Sequence, residues 1–118
     1  MDKSGKKVLR LLGAVALALL AHPAAWADIV SDWNVVAADI VFAANLPAPP
    51  SNRTMAVVQT SVYEAVNAIT KKYPADKMAL TAAPDASIDA AVAAANRGAL
   101  NALVPSQRAA IDAAANDC

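Results

Sequence analysis

Histidine, cysteine and glutamate each occur once in the 118 residues, as His22, Cys118 and Glu64. These scarcities exclude a good deal of chemistry. A lone Cys118 cannot close an intramolecular disulfide, so stability must come from packing. His22 lies in an N-terminal segment that reads as a leader, and the rest of the chain therefore lacks the imidazoles and paired thiols of the usual zinc sites. Without a histidine base, Ser61 and Ser87 cannot form a Ser-His-Asp arrangement. Lys71, Lys72 or Lys77 could formally activate a serine, but no motif pairs them with one. No internal repeat is visible, and no low-complexity tract beyond an alanine bias.

The leader reading covers residues 1–27. Lys3, Lys6, Lys7 and Arg10 form a basic start, Leu11 to Ala21 is an apolar run of eleven, and Ala25-Trp26-Ala27 has the small-x-small form of a signal-peptidase site. Cleavage is expected before Asp28, giving an exported protein, periplasmic or secreted. Eleven residues rise only about 16 Å as a helix, too little for a hydrocarbon core of roughly 30 Å, so no stable membrane span is expected after cleavage.

The remaining 91 residues carry six Lys or Arg against nine Asp or Glu, a formal net charge of −3. Nucleic acid is an unsuitable partner, because its binding needs a basic stripe and these cations are scattered. Alanine supplies 25 of the 91. It favours helix but offers little apolar area, so a thin core is expected.

The fold class read from periodicity is all-α, three to four helices after the signal peptide. The first spans Asp28 to Asn45, with Trp33, Val36, Ala37, Ile40, Val41 and Ala44 on one face and Asp28 and Asp32 at the positive end of the dipole. Leu46 to Pro50 reads as a stiff connector. A central helix over Asn52 to Thr70 has Met55, Val58, Val62, Ala65, Val66 and Ile69 as its stripe, Ser51 or Asn52 as its cap and Lys71, Lys72 and Pro74 at its end. Tyr73 to Pro84 is a linker. A third helix runs from Ala86 or Ser87 to about Leu103, capped by Asp85 or Ser87, with Ile88, Ala91, Val92, Ala95, Ala99 and Leu103 inward. Pro105 ends it, and Ser106 is a candidate cap for a fourth over Gln107 to Ala115, where Ile111 is the only large apolar residue.

Two i,i+4 carboxylate pairs, Asp28 with Asp32 and Asp85 with Asp89, lie near helix starts, where the dipole already favours acids; calcium would need six to eight oxygens. Arg53, Tyr63, Glu64 and Asn67 are the distinctive polar residues of the central helix. Tyr63 and Asn67 can meet on one face, whereas Arg53 and Glu64 stand about 16 Å apart along the axis. Hydrogen bonding to neighbouring helices and loops is the expected role of all four.

Trp33-Asn34, Arg53-x-Met55-Ala56, Tyr63-Glu64-Ala65-Val66-Asn67-Ala68-Ile69 and an Ala-rich helix closing on Leu103-Val104-Pro105 together resemble the N-terminal helical region of secreted vanadium-dependent haloperoxidases and related phosphatidic-acid-phosphatase type 2 (PAP2) proteins. The resemblance covers residues 28–118 and implies a helical fold with phosphatase or haloperoxidase ancestry. In that family the chemistry belongs to a catalytic helical domain with Lys-x6-Arg-Pro, Pro-Ser-Gly-His and Ser-Arg-x5-His-x3-Asp elements, which bind phosphate or vanadate. None of the three elements occurs here, so no catalytic, cofactor-binding or metal residue is assigned, and vanadate or phosphate binding would need the missing domain. The expectation is an incomplete helical bundle from a truncated or interrupted gene, catalytically silent alone, whose partner is that catalytic domain. Two alternatives stay open: a small exported binding or assembly protein that buries an Ala-rich face against a helical partner, either another protein or itself, and an enzyme completed by a separately encoded subunit.

Overall fold

The computed structural model describes residues 28–75 and 78–117. The expected leader and its cleavage site lie outside the described residues, as do Lys77 and Cys118. Within them the protein is all-α: helices α1 (Ile29–Ala43), α2 (Ala48–Thr70), α3 (Ile88–Leu103) and α4 (Arg108–Asn116), with a 3-10 turn over Pro105–Gln107 before α4.

α1 begins where Asp28, in extended conformation, accepts a hydrogen bond from the Val30 N–H at 3.2 Å, satisfying one of the first-turn donors that have no intrahelical partner. Its inward face is the expected one, with Trp33, Ala37, Ile40 and Val41 buried. The helix stops as Asn45 turns into the left-handed region at φ 51°, a conformation that asparagine tolerates better than most residues.

α2 starts earlier than the prolines suggested. Pro49 and Pro50 are inside its first turn, and the Ser51 N–H already bonds the Pro47 carbonyl at 3.0 Å. First-turn amides have no intrahelical acceptor, so proline there sacrifices no hydrogen bond while its fixed φ suits a helix. Ser51 therefore caps nothing; its hydroxyl donates to the Leu46 carbonyl at 3.2 Å and ties the connector to the helix. The stripe also rotates from the expected line: Val58 and Val62 are buried, but Thr54, Glu64 and Asn67 are buried with them, while Met55 and Val66 are partly covered.

α3 is capped by Ser87, whose hydroxyl accepts from the Ala90 N–H at 3.3 Å. Its buried line is Val92, Asn96 and Leu100, at spacings of four. Ile88 and Leu103, expected inward, are exposed, lying off the buried line of Val92, Asn96 and Leu100. Ser106 does not cap α4; it lies in the 3-10 turn, and Gln107 precedes the helix without a side-chain cap. Burial of Ile111, which is fully enclosed, holds α4 to the rest.

α1 and α2 pair antiparallel. Val30 near the start of α1 shares a cavity with Val62, Tyr63 and Val66 late in α2, and Gln59 Nε2 donates to Asn34 Oδ1 at 2.8 Å. α3 packs most extensively on α2 and also touches α1 and α4. One core results, formed by Trp33, Ala37, Ile40, Val41, Val58, Val62, Val92, Leu100, Val104 and Ile111. Arg97 and Asp112 join α3 to α4 at 2.7 Å, and Asn101 donates to the same carboxylate oxygen at 3.4 Å.

Candidate functional site

The polar residues of the Tyr63–Asn67 string converge where α2 hands over to the linker. Lys71 caps α2 in the left-handed region at φ 50°, its N–H bonding the Asn67 carbonyl at 2.8 Å. That conformation is costly for a residue with a Cβ, on the order of 1–2 kcal/mol. Two residues on, Tyr73 precedes Pro74, which biases it to extended backbone. An extended residue presents its N–H and carbonyl on the same side, and the Asn67 carboxamide takes both: the Tyr73 N–H donates to Asn67 Oδ1 at 3.0 Å, and Asn67 Nδ2 donates to the Tyr73 carbonyl at 3.2 Å. These bonds offset the strain at Lys71 and fix the chain reversal.

The reversal lays the Tyr73 ring against Tyr63, with centroids 6.1 Å apart and planes tilted by 34°. Lys72 Nζ stands 5.8 Å from the Tyr73 ring centre, within cation–π range. Tyr63 and Asn67 thus share a face, as expected, and Tyr73 brings them into one cluster. That third member was missed: its signal was the Tyr-Pro dipeptide six residues beyond an asparagine in the last helical turn.

Cavities flank this clasp. One of about 340 Å³ is lined by Val30, Val62, Tyr63, Val66 and Tyr73 with Gln59, Thr70 and Lys72 at its polar edge. On the other side, a cavity of about 230 Å³ runs under Met78 and Leu80 of the linker, and one of about 430 Å³ lies between α2 and Ala91, Ala94 and Ala95 of α3. Glu64, only 6% exposed, lines both of the latter. Its carboxylate therefore faces the linker and α3 rather than Arg53, which is exposed three turns earlier.

The remaining candidates have structural occupations. Ser61 donates to the Val57 carbonyl at 2.9 Å, Ser87 caps α3 and Asp28 caps α1. Asp32, Asp85 and Asp89 are exposed, and among the described residues no three His, Cys, Asp or Glu side chains gather to hold a metal ion. No helix of the described residues is long and apolar enough to cross a membrane. Trp33 is 1% exposed and serves as the packing anchor of α1; its indole N–H has no hydrogen-bond partner among the described residues. The cluster can hold a chain segment in place and offer apolar recesses beside it. It has no assembled nucleophile and base.

Compared with known proteins, the chain matches no family model, no curated protein and no solved structure.

Proposed function

We propose that this chain is the exported N-terminal helical region of a vanadium haloperoxidase-like or PAP2-like protein, a packing scaffold for a catalytic helical domain and catalytically silent alone. The observation that carries this reading is the Tyr63–Asn67 string. The residues behind the resemblance are also those that build the α2 terminus, through Asn67 on the Tyr73 backbone and Tyr63 on its ring. A second support is the large apolar side chains left exposed on α1 and the linker, Val35, Phe42, Met78 and Leu80, which a scaffold would cover on assembly. Homogeneous protein is expected to show neither phosphatase activity nor vanadate-dependent halide oxidation; turnover in either assay would overturn silence. Translation of the DNA beyond the Cys118 codon in all three frames tests the ancestry, with Pro-Ser-Gly-His and Ser-Arg-x5-His-x3-Asp expected.

A second reading is a free-standing exported assembly protein. It is favoured by the outer side of α3, where Ala90, Gly98 and Ala102 are all exposed and would let another helix approach closely. Sedimentation at several concentrations, with urea unfolding, separates the two: a stable folded monomer or a defined oligomer supports the free-standing protein, and a poorly cooperative, partly unfolded chain the scaffold fragment.

A further inference from the structure

α1 is apolar on two opposite sides. Trp33, Ala37, Ile40 and Val41 enter the core. On the opposite side Ser31, Val35, Ala38 and Phe42 form a second line, all exposed, with Val35 at 62% and Phe42 at 87%. Large apolar side chains exposed in line opposite the core face are a surface that assembly would cover. The steps along this outer line are four, three and four residues, the spacing of a coiled-coil seam, and its side chains alternate small and large in the way that accepts knobs from a facing helix.

The flank of the seam identifies the partner. Asp32 and Asp39 are seven residues apart, both exposed, and each directly follows a small member of the line, so they border the same edge. In an antiparallel self-pair these acids would face their own copies, and in a parallel one Asp39 would face Asn34. Neither arrangement supplies a counter-charge. We propose that the outer face of α1 is the docking surface for a helix of another polypeptide segment, one with apolar seam residues and lysine or arginine along the edge that meets Asp32 and Asp39. This rests on the scaffold reading and deepens it by assigning the face and the charge of what docks there.

The test uses the folded protein and a fluorescently labelled amphipathic peptide of about three heptads, with leucine and alanine at the seam and lysine on the flanks. Two control peptides carry glutamate flanks or a scrambled order of the same composition. Anisotropy titration is expected to show saturable binding of the lysine peptide alone, at least tenfold weaker with Phe42→Ser and several-fold weaker with Asp32→Asn/Asp39→Asn; the latter variant should also lose most of the salt dependence. Both substitutions are at exposed positions, and unchanged circular dichroism and melting are expected for each. Equal binding of the scrambled or glutamate peptide, or binding indifferent to Phe42→Ser, would refute the docking face. Concentration-dependent dimers abolished by Phe42→Ser would assign the face to a second copy, and vesicle binding abolished by it would assign the face to a membrane; either overturns the proposal. Failure here would leave the ancestry untouched, because that is decided by the downstream reading frames.

Discussion

At the scale of single residues, two positions read oppositely in terms of local stability. Gly98 sits inside α3 with φ in the ordinary range, and a Cβ built there would meet nothing within 4 Å. Glycine in a helix interior costs roughly 0.5–1 kcal/mol relative to alanine, so Gly98→Ala should stabilise the isolated protein by about that much, read as a higher urea midpoint at unchanged slope. Asn67 is the reverse case. Its carboxamide makes both bonds to Tyr73 while buried, so Asn67→Ala should cost about 1–3 kcal/mol, the sum of two ordinary hydrogen bonds. Faster amide hydrogen exchange at Lys71 and Tyr73 than in α3 would accompany it; a uniform change over the chain would argue that Asn67 acts on the core instead. Asn67 was legible in the sequence as a polar residue needing a partner. Its partner was not, because the bond depends on a turn whose geometry is set by Lys71 and Pro74 together.

At the scale of elements, α4 shows how a helix with one large apolar residue is retained. Ile111 supplies the burial, and the Arg97–Asp112–Asn101 cluster supplies direction. The hydrogen bond from Arg97 chiefly, then that from Asn101 and the charges of Arg97 and Arg108, outweigh desolvation and hold the Asp112 carboxyl below its ordinary value of 3.8. A carboxyl depressed in the folded state contributes stability that is fully present above the ordinary value and disappears as pH falls through the lowered one. Wild type should therefore exceed Asp112→Asn in urea midpoint at neutral pH, with the gap closing below pH 3.8 and narrowing in salt, since the pair is partly exposed. A gap as large in acid as at neutrality would show that the pair acts through packing. The element boundaries themselves divide by cause. Ser87 was readable as one of two candidate caps, with Asp85, because a cap serves its own first turn. Asp28 reads in the sequence only as an acid favoured by the dipole, and the structure makes it the cap of α1. The α2 start was misplaced because prolines that end one helix can also open the next.

At the scale of the molecule, the four helices of the described residues enclose a core in which tryptophan, leucine and two isoleucines are the largest members. Valine and alanine fill the rest, as expected from the composition. So thin a core leaves much apolar area outside it, and the exposed line through Val35 and Phe42 is where that surplus is most ordered. The scaffold reading and the docking face both rest on this. The chemistry is a matter of inventory: residues 28–118 contain no histidine and a single cysteine, and cannot by themselves assemble the usual His and Cys zinc sites or a Ser-His-Asp triad in any fold.

The sequence by itself determined what depends on near neighbours: helix periodicity, a cap for α3 at Asp85 or Ser87, the inward face of α1 and the chemistry that its residue types exclude. Periodicity marks where apolar residues lie around a helix. It does not say which polar residues a neighbour will cover. Only the tertiary structure decided that Glu64 and Asn67 turn inward beside Val58 and Val62, and that Tyr73 folds back on Tyr63. Those outcomes follow from how α3 lies across α2 and where the linker returns, which are properties of the packed chain and not of any one segment.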